Sequence, residues 1–574
     1  MLQISSGKFF DRGIGRENAL RGALYSNLYL YNKEIQTAAG NLLYTSTLRD
    51  RHTLVFEMTE RFEAIASGRE VLVSHGIDPY LKDFATVVAF GMNVTCTPDA
   101  VLLKRLLSDN PGVSTFAAPK KLVKRVFDQQ VFCGEDEVEQ FVGFVRQLIG
   151  LERKTFLGVM RAIRTYVTAM HRMADDLELA YTLLVASLES LTQGFDGHRA
   201  TWEDYDEKKR RPIEAALEGA TTEITLRVKD ALLNIEHTSL GRRFRDFTLS
   251  LVTPAYFREE AIHQEWAIGR SDLADALAVA YNVRSKYVHN LEELPAPLTL
   301  GHSFAETART DGITTLTLQG LSRLARHVIK NFVMAQKIVD KEVYNYSLER
   351  AGIVRMSLSP EYWIGSHENV APEDGKSRLE GFAELLVPVF EGHPNAELVD
   401  LRPLLLAVEK TLPSWKKPAR LPFLILHFLF NKQHPPASRT SEYAKVLAPY
   451  MAEMSEPSSE AMLAHLVVDQ AIDWSLDEHQ KIHDAYFKRR DRRSGIRFPR
   501  LFEVGFSLTL AERYRAKNDM VKAGELVRLA VENHPGHTGL VAFEKAFAEG
   551  DQIDWKAIML PAGERVSNEE DSAP

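Results

Sequence analysis

The hydrophobic period changes once along this chain, and that change restricts its fold more than any other feature. Up to about Pro111 the pattern is an alternation: Tyr25, Asn27, Tyr29 and Tyr31, then Leu42 and Tyr44, then Thr53, Val55 and Glu57, with Gly and Asn between the runs. A period of two sets one face of an extended strand against a core. Phe84 to Cys96 is an apolar run rich in Val and Thr, bounded by Asp83 and Pro98, which predicts a buried strand. Residues 1–115 are expected to form a compact, mainly antiparallel β domain with a sensing or regulatory part.

After the basic stretch Lys120, Lys121, Lys124 and Arg125 the period becomes helical and stays so to about Gln336. Phe141, Val145, Leu148 and Leu151, and later Val167, Met170, Met173, Leu177, Tyr181, Leu184 and Leu188, recur every three or four residues, so successive helices must pack on one face. A polar break at Gln193–Asp206 precedes amphipathic segments at Ile213–His237 and Ser271–His289, and Pro295 and Pro297 stop the last of them. Residues 120–345 therefore predict a helical bundle. Residues 346–378, with Pro, Gly, His and acidic side chains and no sustained period, predict a linker. Residues 379–566 predict a second helical region, in which Leu510, Tyr514, Ala523, Ala530 and Pro535 take the spacings of one tetratricopeptide hairpin, with Ser507 where a large residue is usual. The end, 567–574, predicts a disordered tail. The fold class expected is α+β.

Composition narrows the function. At 574 residues the chain has length for several domains. Its 70 basic and 78 acidic residues give a net charge of −8, so nucleic-acid contact must come from local clusters. Two cysteines, Cys96 and Cys133, cannot build a disulfide framework. The longest apolar run, Leu421–Phe430, is too short to span a bilayer, and the amino terminus lacks a basic start followed by an apolar stretch. The expectations are no membrane contact and a cytoplasmic location. No phosphate-loop motif occurs, and Gly13-Ile-Gly15 lacks the third glycine of a dinucleotide fingerprint. Gly301-His302-Ser303-Phe304-Ala305 lacks the second glycine of a nucleophile elbow. His479 and His483 share a helix face, but Gln480 stands where a zinc protease needs glutamate, so the pair is read as part of a solvated charged face.

One segment stands apart: Tyr281-Asn-Val-Arg284-Ser285-Lys286-Tyr287-Val288-His289-Asn290. It resembles the Arg-x4-6-His motif of HEPN domains, in the Apea-like branch, whose helix reads approximately Tyr-x-x-Arg-Ser-x-hydrophobic-hydrophobic-His-Gly. Asn290 departs from the glycine, although asparagine also tolerates the left-handed conformation that ends helices. Ala180–Leu191, an apolar stretch carrying Glu189, looks like the family's early helix, and Leu321–Met334 like its closing one. The resemblance covers about Phe141 to Val339. Arg284 and His289 project about 140° apart and about 7.5 Å along one helix, so they converge on one phosphate only if a second subunit or helix supplies the other wall; the resemblance implies a homodimer with a composite cleft.

That resemblance implies an endoribonuclease using neither metal nor cofactor. His289 would move the proton of a ribose 2'-hydroxyl, Arg284 would hold phosphate oxygens in its planar fork, and Ser285 would bind the phosphate or orient the histidine. Products would be a 2',3'-cyclic phosphate and a 5'-hydroxyl. Glu189, Tyr281 and Asn290 are supporting residues, Glu189 as the ion-pair partner of Arg284 when the site is empty. Lys208, Lys209, Arg210, Arg211, Arg242, Arg243, Arg245 and Lys286 are the candidate RNA contacts, and Lys488 to Arg500 forms a further basic run. By resemblance the partner is RNA, tRNA among the substrates, and the setting is bacterial anti-phage defence with an unidentified trigger sensed by the flanking domains. The alternative is a noncatalytic HEPN module that binds RNA or scaffolds proteins.

Overall fold

A computed structural model describes residues 1–30, 34–44, 52–64, 74–110, 117–197, 201–202, 207–235, 240–299, 304–310, 312–346, 349, 358–394, 396–492, 495–547 and 551–560. Tyr31, Gly301 to Ser303, Arg493 and the tail 567–574 lie outside the described residues. The chain divides into two compact units, Met1–Arg355 and Met356–Pro574.

The first unit opens with strands β1 (Ile14–Ser26), β2 (Leu28–Tyr29), β3 (Ile35–Thr37), β4 (Gly40–Tyr44) and β5 (Thr53–Glu63). Helix α1 (Asp78–Met92), β6 (Cys96–Thr97), α2 (Ala100–Leu106) and β7 (Val131–Phe132) follow. Five strands form one antiparallel sheet in the order β3-β4-β5-β1-β6, and β2 pairs with β7 in parallel. The alternation read in the sequence sets the register, with Ala23 opposite Val55 and Leu24 opposite Leu54. Gly40 makes the β3–β4 turn at φ 138°, where a Cβ would lie 2.6 Å from the Glu57 carbonyl oxygen, so only glycine fits.

The segment expected as a buried strand at Phe84–Cys96 is instead mostly helix α1, with only Cys96 entering a strand. Pro79 stands at the helix start beside Asp78, both favourable in a first turn. Its apolar residues cover most of the circumference and leave only a narrow polar strip, Asp78, Lys82 and Thr86: Phe84 stacks on Phe56 of β5 at 4.0 Å, while Phe90 meets Phe144 and Tyr166 at 5.7 and 5.2 Å. Only Thr86 of that strip falls in the run from Phe84, so the 3.6-residue period that marks a surface helix does not show.

The bundle comprises α3 (Glu135–Gly150), α4 (Arg153–Arg172), α5 (Leu177–Phe195), α6 (Glu207–Ala216), α7 (Thr222–Ile235), α8 (Leu240–Ser250), α9 (Arg270–Asn290) and α10 (Ala296–Thr299). The hairpin β8 (Thr307–Thr310) and β9 (Ile313–Leu316) leads into α11 (Leu318–Ala335). One core runs from Leu2 to Val333 and joins the sheet to these helices, crossing the boundary read at residues 115–120. Gly91 shows how closely they meet, since a Cβ there would fall 2.5 Å from the Phe141 ring of α3.

The second unit begins inside the stretch read as a linker, where Ile364 is buried and Arg378 donates to the carbonyls of Trp363 and Ile364. Its helices are α12 (Asp374–Phe390), α13 (Arg402–Glu409), α14 (Lys417–Gln433), α15 (Tyr443–Leu447), α16 (Met451–Ser455), α17 (Ser459–Val467), α18 (Leu476–Asp491), α19 (Arg500–Arg515), α20 (Met520–Asn533), α21 (Thr538–Ala546) and α22 (Trp555–Met559). The tetratricopeptide-like spacing falls on α19 and α20, with Leu510, Tyr514, Ala523 and Ala530 buried between them. His479 and His483 of α18 are not on a solvated face. Both are buried, His479 accepting from Arg513 at 3.2 Å and His483 meeting the Ser507 hydroxyl at 3.0 Å. The small Ser507 thus leaves room for an imidazole.

Among the described residues no helix is long and apolar enough to cross a membrane.

Candidate functional site

Helix α9 presents two different halves. Its first half buries Leu273, Ala276, Leu277 and Ala280, the i, i+3, i+4, i+7 stripe of a helix seated on a bundle, here against α5, α8 and β9. No residue from Tyr281 to Asn290 is fully buried. The motif therefore sits on the half of the helix that rises out of the core.

Two of its residues form one cluster with Glu189 and Gln193 of α5. Arg284 extends toward the start of its own helix, as helical side chains do, placing its guanidinium over the Tyr281 ring at 5.8 Å and its Nη2 2.7 Å from Glu189 Oε2. The Tyr281 hydroxyl donates to Glu189 Oε1 at 3.4 Å, and Gln193 donates to the same oxygen. Glu189 itself is buried, whereas Arg284 is half-buried and its Nε is enclosed without a hydrogen-bond partner. Burial first, then the Glu189 charge, pushes the Tyr281 phenol above its usual range. Phe244 of α8 closes the aromatic side, 5.5 Å from Tyr281, and Gly241 leaves space for that ring.

His289 lies apart from this cluster. It is exposed on the last turn of α9 and has no hydrogen-bond partner among the described residues. Val288 and Leu291 beside it are exposed as well. Ser285 is half-buried, Lys286 pairs with Glu292 at 3.2 Å, and Asn290 donates to Glu292. The left-handed residue that ends the helix is Leu291, at φ 55°, so Asn290 is still helical. Within one chain the structure unites Arg284, Glu189 and Tyr281 and leaves His289 outside.

The basic residues are held by neighbouring acids more than the sequence shows. Arg211 pairs with Glu207, Arg210 with Glu214, Arg243 with Asp196 through two contacts of 2.7 and 3.1 Å, and Arg245 with Asp246. Lys208, Lys209 and Arg242 are exposed and have interactions of their own. In the second unit Arg490 is paired with buried Glu503, which also accepts from Tyr486.

A second constellation went unread in the sequence. A cavity of about 730 Å³ in the first unit is lined by Arg323, Arg326, His327 and Lys330 of α11 together with Lys124, Arg125 and Glu260. Lys124 and Arg125 belong to the basic stretch already noted, and the i, i+3, i+4, i+7 spacing of the α11 cations was the available signal. Its partners lie 60 to 200 residues away in sequence, which hid the grouping.

Comparison with protein-family models, with curated proteins and with solved structures finds no match to this chain.

Proposed function

We propose that the chain is an endoribonuclease of the HEPN type whose site is completed by a second copy of itself. The observation that carries this reading is the pairing of buried Glu189 with Arg284, with an exposed His289 five residues further along the half of α9 that leaves the core. A buried carboxylate holding a phosphate-binding guanidinium is a resting arrangement, because an incoming phosphate offers Arg284 the same two-oxygen partner. His289 of one copy faces solvent, between apolar Val288 and Leu291, where a second copy can bring another imidazole.

With RNA bound, one His289 takes the 2'-hydroxyl proton as O2' bonds to phosphorus. The P–O5' bond then breaks, and the second imidazole returns a proton to the leaving 5'-oxygen. An imidazole suits both steps because it exchanges its proton near neutrality. Arg284 neutralises charge building on the non-bridging oxygens. Because free RNase activity harms its own host, the flanking regions are read as holding or sensing elements, consistent with an effector in anti-phage defence.

Purified full-length protein is expected to cut single-stranded RNA or tRNA in the presence of EDTA, leaving 2',3'-cyclic phosphate ends, and His289→Ala is expected to abolish cutting. Full cutting by both His289→Ala and Arg284→Ala overturns the assignment. Activity in a protein that light scattering shows to be monomeric removes the composite site.

The separation of Arg284 from His289 within one chain favours a second reading, a noncatalytic module that binds RNA or scaffolds proteins. A pull-down that depends on the α19–α20 hairpin and not on His289 supports it.

A further inference from the structure

The 730 Å³ cavity of the first unit is lined mainly by basic and polar side chains, with Glu137 and Glu260 as the acids among them. Its walls come from the end of α1, from α3, α4 and α11, and from the segments around residues 124 and 263. Three of its basic side chains have an internal acidic partner, the first being Arg125, paired with Glu137 at 2.7 Å. Arg323 forms a fork with buried Glu306, and His327 meets Glu260 at 2.9 Å.

Two others have none. Arg326 donates only to backbone, to the carbonyls of Phe90 and Gly91 at 2.9 and 2.8 Å. Lys330, one turn later on the same face, has no hydrogen bond or ion pair among the described residues. Both are half-buried. Like charges four apart on a helix repel, and half-burying them with no direct ion pair adds to that cost. Lys124 adds a third cation that reaches only a carbonyl, that of His263.

The backbone gives an independent sign. Arg125 and His263 both line this cavity and both adopt left-handed φ, at 74° and 65°. Such strain in non-glycine residues persists where the surroundings demand it and gathers at binding sites. Phe144, Tyr166, Met92 and Met334 supply the larger apolar part of the lining.

We propose that this cavity binds a phosphorylated small molecule of nucleotide size, its phosphate oxygens on Arg326 and Lys330 and its apolar body against Phe144 and Tyr166. The volume lies within the range of about 300–1,000 Å³ typical of small-molecule sites, and the guanidinium and ammonium suit linked phosphoryl groups. The proposal does not rest on the α9 motif.

Lys330 also gives the site a proton signature. Burial, and then Arg326 and Arg125, push its ammonium down to about 7, against the opposing charges of Glu260 and Glu137. An anion seated beside it restores the charge, so binding at pH 8 takes up a proton.

Calorimetric titration of the full-length protein with inorganic pyrophosphate and with ATP tests the site, with citrate and a short single-stranded RNA as the other arms. Micromolar binding of pyrophosphate or ATP is expected, weakened at least tenfold by Lys330→Gln, with buffer-dependent heats at pH 8 that this variant loses. Lys330→Gln breaks no hydrogen bond in the fold; Arg326→Lys, which keeps the charge but loses the fork to two carbonyls, is the second variant. His289→Ala is expected to bind as the unchanged protein does. The proposal fails if neither phosphate binds below millimolar concentration, if Lys330→Gln and Arg326→Lys both bind normally, or if citrate or RNA binds the same residues as tightly.

Discussion

Arg284 and His289 are five residues apart and differ in what their removal costs. Arg284→Ala leaves Glu189 buried without its cation, and an abandoned buried carboxylate costs about 2 kcal/mol or more. His289 is exposed and has no hydrogen bond or ion pair among the described residues, so His289→Ala should stay within about 0.5 kcal/mol of the unchanged protein. Thermal melts of the two variants check this, with Glu189→Gln/Arg284→Met expected to recover part of the loss. His289→Ala is therefore the cleaner probe of chemistry. A second residue-scale expectation concerns His479, which burial and then Arg513 hold down to about 3. The fold thus keeps its imidazole neutral, while the unfolded chain takes up a proton once pH falls below about 6.5. Stability is complete above that pH and is lost as pH falls toward 3, at up to about 1.4 kcal/mol per pH unit for this one group. Urea unfolding at pH 7.5, 6.0 and 5.0 should show the second unit weakening, and His479→Gln should flatten the slope. The sequence placed His479 and His483 on one face correctly but not the direction of that face, because Ser507 and Arg513, which receive them, come from another helix.

Helices were legible where a broad face met solvent and illegible where only a narrow strip did. The stripe of α9 reads directly as Leu273, Ala276, Leu277 and Ala280, whereas α1 reads as a strand because packing on several sides narrows its polar face to Asp78, Lys82 and Thr86. The end of α9 shows the limit of local reading in another way. Asn290 is the residue whose chemistry suits a left-handed stop, yet Leu291 takes that conformation at φ 55° and exposes its side chain. A leucine there costs roughly 1 kcal/mol relative to glycine, and little burial offsets it within one chain. Leu291→Gly should accordingly raise the melting temperature of the monomeric unit by a few degrees. If Leu291 lies at a contact between copies, the same change should also weaken dimerisation in sedimentation or light scattering. The two readouts move in opposite directions, which separates helix stability from assembly.

At the scale of the whole molecule, a net charge of −8 is distributed so that most cations near α9 already have acidic neighbours. Cluster positions were readable from sequence; their neutralisation was not, because Asp196 reaches Arg243 from 47 residues away. The shared core was hidden for the same reason, since contacts such as Phe90 with Tyr166 join segments that sequence reading had assigned to separate domains. RNA binding on such a surface has to exchange internal ion pairs for phosphates, so it should be weak and steeply dependent on salt. Each phosphate engaged on a single strand contributes about −0.7 to the slope of log affinity against log salt. Arg242→Gln/Arg245→Gln should therefore reduce that slope by about 1.4 if both residues contact the backbone, measured by fluorescence anisotropy of a labelled single strand between about 50 and 200 mM salt. An unchanged slope with unchanged affinity would move the RNA path away from α8. A slope that falls while cleavage persists would place these arginines in substrate capture and leave the chemistry to α9.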